Sequence, residues 1–231
     1  MPKHIILVED DPHIRENYVD LLTKQGYRVD GYGSRSKAES AFRSKLPDMA
    51  ILDIGLNDEP DGGYDLCRFL RSESSVMPII FLTARDSDMD EVLGLRLGAD
   101  DYLTKDVSLH QLLARVSGLF RRVDAIAGKG DKETVVSTAE LEINIDRLIA
   151  TWKGKSLGLT VTEIWILNSL AKNPGHIRTL DQLMHAANAN AHVDDGTIRS
   201  HIKRIRQKFE AVDDSFDAIK SKYGAGYFWE A

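Results

Sequence analysis

Five short apolar runs, separated by stretches with helical periodicity, constrain this chain more than any other feature. HIILV (4–8), MAILD (49–53), PIIFLTA (78–84) and DYLTK (101–105) are nearly continuous rather than alternating. Strands of that kind are covered on both faces, as in a parallel sheet. RVDGYG (28–33) is a weaker fifth strand. Between them lie helical patterns at 12–25, 35–45, 63–72, 87–97 and 109–122, the first with Ile14, Tyr18, Leu21 and Leu22 on one face and Pro12 in its first turn. Strand and helix repeated five times predict an α/β, doubly wound, parallel five-stranded sheet over residues 1–122.

The pattern changes beyond it. Residues 123–133, VDAIAGKGDKE, lose periodicity and read as a linker. Over 134–231, short strands around 140–160 precede helices at 160–172, 179–187 and 195–210. A strand pair, AIKSK and GYFWE, closes the chain around Tyr223–Gly226. That order predicts an α+β winged helix-turn-helix domain.

Composition excludes several classes. Hydrophobic residues are 42% and charged residues 29%, so the chain is neither disordered nor collagen-like. One cysteine, Cys67, excludes an internal disulfide and a cysteine-rich zinc cluster; on its helical pattern it reads as a small buried hydrophobe. No apolar run approaches the roughly 18 residues that cross a bilayer. The start reaches acidic residues by position 9, unlike a signal peptide. A cytoplasmic protein with no membrane partner is expected. Residues 1–133 carry 18 Lys+Arg against 24 Asp+Glu, whereas 134–231 carry 12 of each. The two halves need not bind the same things.

In an open parallel sheet, function sits at the carboxyl ends of the strands. Glu9, Asp10 and Asp11 follow the first strand, Asp53 ends the third, Thr83 the fourth and Lys105 the fifth. Asp11, before Pro12, reads as a helix N-cap instead of a site residue. Converging carboxylates repel unless a cation lies between them, and hard oxygen ligands suit Mg²⁺. A lysine and a threonine hydroxyl beside them can bind phosphoryl oxygens, and an aspartate can be the nucleophile in phosphoryl transfer. Glu9, Asp10, Asp53, Thr83 and Lys105 therefore form one candidate phosphoryl site.

A second concentration is basic. Residues 196–208 carry Arg199, Lys203, Arg204, Arg206 and Lys208 and no acid. Such a run on one helix is an electrostatic footprint of nucleic-acid binding. Ile198, Ile202, Ile205 and Phe209 make an inward stripe, leaving Thr197, Ser200, His201 and Arg204 on outer or flanking faces where they can meet base edges.

VEDD (8–11), LD (52–53), LTAR (82–85), GADDYLTK (98–105) and RR (121–122) resemble the receiver domain of response regulators. LT-x-T-E (159–163), TIRSHIKRIRQK (197–208) and GAGY (224–227) are similar to the OmpR/PhoB-type winged-helix DNA-binding domain. The resemblance implies Asp53 as phospho-acceptor, Glu9 and Asp10 as acidic metal-site residues and the Gly55 carbonyl as a further ligand. It implies Thr83 as switch hydroxyl, Tyr102 as aromatic switch and Lys105 as the phosphate-contacting lysine. It makes 195–210 the recognition helix and places Lys222 and Tyr223 in the wing. It implies a homodimer on activation, through Val92, Leu95 and Ala114 with charges Asp100, Asp101, Arg115 and Arg122. The partners implied are a sensor histidine kinase, promoter DNA with tandem half-sites, and RNA polymerase.

The chain departs from the family at several points. Asp106 replaces the usual proline after the lysine, so a trans peptide is expected. The loop IGLNDEPDGG lacks the usual Leu-Pro, is one residue longer and adds Asp58, Glu59 and Asp61. Those charges could favour cation binding or slow an anionic phosphodonor. Tyr223 stands where a wing arginine is usual, Gly196 where the recognition helix usually has one, and HAANANAH (185–192) lacks the usual tryptophan. The function expected is a non-enzymatic, phosphorylation-controlled transcription factor. The alternatives are a transcription factor with a vestigial receiver and a Mg²⁺-dependent aspartyl phosphohydrolase.

Overall fold

A computed structural model describes residues 2–57, 59–127, 135–138, 140–187 and 195–230. The chain divides into two compact units, Met1–Leu113 and Ala114–Ala231.

In the first unit the strands are β1 (His4–Val8), β2 (Arg28–Tyr32), β3 (Met49–Leu52), β4 (Ile79–Thr83) and β5 (Asp101–Thr104). They pair in parallel in the order β2-β1-β3-β4-β5, the doubly wound arrangement expected. β3 and β4 are buried at every position, which is why their sequences do not alternate. Four helices connect the strands: α1 (Pro12–Lys24), α2 (Arg35–Ser44), α3 (Gly62–Glu73) and α4 (Asp88–Leu97). Asp11 caps α1 by accepting from the His13 and Ile14 N–H groups at 2.8 and 3.0 Å, satisfying two donors that the helix itself leaves open. That cap holds the Asp11 carboxyl below its usual range. Cys67 is fully buried on α3 among core residues. Gly63, at the start of α3, lies so close to the end of β3 that a Cβ there would sit 1.9 Å from the Asp53 carbonyl oxygen.

The next helix, α5 (Leu109–Ala127), runs past the expected end at 122 and into the expected linker. Val123 to Ala127 contain no glycine or proline, so nothing stops the helix before Gly128. Residues 128–133 of the expected linker lie outside the described residues.

The second unit has an antiparallel sheet, β6 (Val135–Ser137), β7 (Leu141–Asn144), β8 (Ile149–Trp152) and β9 (Lys155–Ser156). Three helices follow, α6 (Val161–Ala171), α7 (Leu180–Ala187) and α8 (Asp195–Glu210). The hairpin β10 (Ile219–Lys222) and β11 (Gly226–Trp229) forms the wing. Gly226 has φ 134°, and a Cβ there would meet the Arg178 carbonyl oxygen at 2.0 Å. Only glycine lets the wing approach the α6–α7 connection so closely. The core is an aromatic cluster: Phe209 stacks on Phe216 at 4.0 Å, and Trp152 meets both edge-on. Ile198, Ile202, Ile205 and Phe209 are buried, as their spacing predicted.

Candidate functional site

The strand ends are joined by backbone bonds that fix the pocket floor. Asp53 N–H donates to the Val8 carbonyl at 2.9 Å, Glu9 N–H to Tyr32 at 3.0 Å and Lys105 N–H to Thr83 at 2.8 Å. Five residues distant in sequence are thereby held at one sheet edge. Lys105 Nζ lies 2.7 Å from Glu9 Oε2 and 2.7 Å from Asp53 Oδ2. Glu9, Asp53 and Thr83 are buried. One oxygen from each of Glu9, Asp10 and Asp53 falls within a span of 4.8 Å. This grouping of hard oxygen donors fits a small divalent cation.

Burial pushes the Glu9 carboxyl up, against the pull of Lys105. For Lys105, burial acts downward, but its hydrogen bonds to Asp53 and Glu9 prevail and its ammonium is held above the usual lysine range. Asp53 Oδ1 accepts the Ile54 N–H at 2.6 Å. Arg15 NH1 donates to the carbonyls of Glu9 and Asp10 at 2.6 and 3.1 Å, pinning the acidic loop from below. The Lys105–Asp106 peptide is trans, and the Thr104 hydroxyl donates to the Asp106 carboxylate.

Tyr102 and Thr83 meet at one residue that sequence reasoning left without a role. The Tyr102 hydroxyl donates to the Arg85 carbonyl at 3.0 Å, while Arg85 N–H donates to Thr83 Oγ1 at 3.4 Å. The Arg85 guanidinium reaches Pro60 O at 2.6 Å, Asp61 Oδ1 at 3.2 Å and Asp90 Oδ1 at 3.1 Å. The Tyr64 hydroxyl donates to the same Asp90 oxygen, at 3.2 Å. Burial, with Asp90 beside it, pushes the Tyr64 phenol up to about 12. Burial raises Tyr102 as well. In the long loop, Asn57 N–H donates to Asp10 Oδ2 at 2.9 Å. Glu59 pairs with Arg35 at 3.2 Å and Asp61 with Arg85; Asp58 lies outside the described residues.

The basic helix differs from expectation. Thr197, Ser200, His201 and Arg204 are buried instead of presented. For Arg204 the cause is Glu163. This residue closes a capping box with Thr160 at the start of α6 and has no exposed side-chain surface. A buried carboxylate needs cations, and α8 supplies them: Arg204 Nε at 3.2 Å and Lys208 Nζ at 2.6 Å. Arg206 is turned to the wing, donating to the Ile219 carbonyl at 2.7 and 3.2 Å. Among the described side chains of α8, the exposed ones are Arg199, Lys203, Gln207 and Glu210. With Lys222 and the fully exposed Tyr223 of the wing, Arg199 lines a cleft of about 810 Å³ that also includes Thr179 and Tyr227. The stretch 188–192 of HAANANAH lies outside the described residues.

The expected dimer residues differ too. Val92 and Ala114 are half-buried, but Leu95, Asp100, Asp101, Arg115 and Arg122 are buried within the single chain. Asp100 accepts from Arg71 NH2 at 2.7 Å and from Ile79 N–H at 3.1 Å, binding α3 to the base of β4. Asp101 accepts from Tyr102 N–H at 3.0 Å. Arg122 donates to Thr162 Oγ1 at 3.1 Å within the second unit. Acids and arginines in these segments look like surface charge in a sequence; here Asp100 and Asp101 accept from backbone N–H groups and Arg122 serves a hydroxyl.

The fold and pocket define a receiver domain followed by a DNA-binding winged helix. Comparison with known proteins agrees over nearly the whole chain. Residues 5–117 match the response regulator receiver domain, and residues 154–229 match the C-terminal domain of transcriptional regulatory proteins. The chain is 36% identical over 230 residues to the transcriptional regulatory protein BaeR of Escherichia coli O6:H1, covering 98% of this chain and 92% of that protein. It is 34% identical over 222 residues to CreB of Escherichia coli K12, covering 96% and 95%. Among solved structures it is similar to DrrB, a Thermotoga maritima OmpR/PhoB homologue, with 28% identity, TM-score 0.50 and full coverage of both chains. A RitR mutant with TM-score 0.78, 23% identity and 99% and 100% coverage shares the fold. The chain belongs to the OmpR/PhoB family of two-component response regulators. Its relatives are DNA-binding transcriptional regulators. Among the described residues no helix is long and apolar enough to cross a membrane.

Proposed function

We propose that Asp53 accepts a phosphoryl group from a sensor histidine kinase and that this controls DNA binding. The observation that carries the reading is the Lys105 ammonium set between Glu9 and Asp53, with Thr83 at the next strand end. An Asp53 oxygen attacks the phosphorus of a phosphohistidine. The P–N bond breaks, the imidazole leaves with a proton, and an acyl phosphate forms on Asp53. Lys105 exchanges a carboxylate oxygen for a phosphoryl oxygen, and the Thr83 hydroxyl donates to another. Glu9, Asp10, Asp53 and the Gly55 carbonyl would hold Mg²⁺, whose charge offsets that of the transferring group.

When Thr83 turns to the phosphoryl group, the Arg85 N–H loses its acceptor. Arg85 also carries the carbonyl that holds Tyr102, so one residue links the two switch side chains. Phosphate then favours the conformer that binds it better. The output is a homodimer on tandem half-sites, with α8 in the major groove through Arg199 and Lys203 and the wing contacting the backbone through Lys222 and Tyr223. RNA polymerase is the downstream partner, and the protein acts in the cytoplasm as a phosphorylated carrier, not a turnover enzyme. We place the receiver at 1–122 and the DNA-binding domain at 134–231.

Acetyl phosphate with Mg²⁺ should label the wild type with a base-labile phosphate and leave Asp53→Asn unlabelled. Equal labelling of both would overturn the assignment.

A further inference from the structure

The turn after β3 reaches further than Gly55. Leu56 and Glu59 exchange backbone hydrogen bonds at 2.9 and 3.0 Å, closing a tight turn around Asn57. Asn57 has φ 51°, in the left-handed region that asparagine occupies more readily than most residues. This conformation aims its N–H at Asp10 Oδ2, 2.9 Å away. Its side-chain amide donates to the Gly33 carbonyl at 2.9 Å, fastening the turn to the loop after β2. Asp10 Oδ1 accepts the Asp11 N–H at 3.1 Å. Asp10 is the least buried of the three pocket carboxylates, and so the freest to swing away. Two backbone donors, one from each side, hold it in place.

We propose that Asn57 is a positioning residue for the cation site, keeping the Asp10 carboxylate grouped with those of Glu9 and Asp53. The proposal rests on reading those three carboxylates as the Mg²⁺ site. A carboxylate oxygen that accepts one N–H retains a lone pair for a cation, so the bond orients Asp10 without occupying it. Ordering the ligand beforehand removes an entropy cost from binding. A proline at position 57 could neither donate nor adopt this φ.

The test is Mn²⁺ binding to the full chain, with free Mn²⁺ counted by electron paramagnetic resonance and folding checked by circular dichroism. Asn57→Gly keeps the N–H and tolerates the same φ while losing the anchor to Gly33, so affinity should stay within about threefold of wild type. Asn57→Val disfavours the left-handed turn and should weaken binding about tenfold. Asn57→Ala, a milder form of the same strain, should fall between the two and serves if the valine variant does not fold. In an Asp10→Asn background the Asn57→Val effect should shrink to within about twofold, since its target has already changed. Unchanged or tighter binding by the folded strained variant overturns the proposal. So does an equal loss in both backgrounds, which would mark a merely structural role. The underlying site reading fails separately, if wild type does not bind Mn²⁺ or if Asp53→Asn binds it equally well.

Discussion

Arg204 and Glu163 form a buried ion pair, with Nε 3.2 Å from Oε1 and both side chains almost wholly withdrawn from solvent. The pair joins the basic helix to the start of α6. It changes what the arginine is for: a residue placed to read a base becomes one that neutralises the carboxylate of a capping box.

Arg204→Ala should therefore act first on stability. Breaking a buried pair costs about 3–5 kcal/mol, and the remaining Lys208 contact places this case near the lower end. The three tryptophans, Trp152, Trp165 and Trp229, all lie in the second unit, so fluorescence-monitored urea unfolding reads that unit. An unchanged midpoint combined with lost preference at one base pair would restore the base-reading role.

The same carboxylate sets a pH dependence. Burial alone would raise Glu163, but Arg204 and Lys208 overcome it and hold it at about 2, below the ordinary 4.5. Its folded value lies below its unfolded value, so the stability it contributes is complete above about pH 4.5 and is lost as pH falls towards 2. Unfolding free energies read from tryptophan fluorescence should fall between pH 5 and pH 3 by more in wild type than in Glu163→Gln, the extra loss staying within about 1.4 kcal/mol per pH unit. Parallel pH profiles would contradict this.

DNA contact should follow exposure. Arg199→Ala and Lys203→Ala should each lower the salt slope of binding by about one unit, and Tyr223→Arg should raise affinity by adding a wing cation. Arg206→Ala, which loses hydrogen bonds to Ile219, should leave the slope nearly unchanged. Titrations of one operator and one scrambled duplex at several salt concentrations separate these cases. A slope that drops with Arg206→Ala alone would reverse the assignment.

Dimerisation should depend on α4 and not on Asp100. Met89 and Leu93 are exposed on that helix, so Leu93→Asp should weaken a phosphorylation-dependent dimer in sedimentation experiments. Asp100→Ala removes the carboxylate partner of Arg71 NH2 and an acceptor for Ile79 N–H, and should instead lower the melting temperature of the unphosphorylated chain. Loss of the dimer with an unchanged melting temperature in Asp100→Ala would place that residue back at an interface.

The pocket was legible because its members sit at strand ends, where a βα repeat brings distant residues to one edge. Glu9, Asp10, Asp53, Thr83 and Lys105 needed no side-chain detail to be grouped. The outward face of α8 was not legible. Spacing identifies the apolar stripe, but the burial of Arg204 depends on a carboxylate 41 positions earlier in the chain. The Thr160-x-x-Glu163 spacing signals a capping box, and that was the available clue to Glu163. The links from Arg85 to Thr83 and Tyr102, and from Asn57 to Asp10, stayed silent because they run through backbone N–H and carbonyl groups, and residue identity says little about where those will point.

Lys105 gives the resting pocket a resident counter-ion. A divalent cation held by Glu9, Asp10 and Asp53 would share two of its three carboxylates with an ammonium that already touches them. Those carboxylates and the single ammonium leave a formal double negative excess, which a dication cancels. An anionic phosphodonor is repelled before that cancellation and tolerated after it, over distances of about 8 Å at physiological ionic strength. On the function proposed above, that electrostatic balance would favour the cation before the donor, with Lys105 then holding a phosphoryl oxygen.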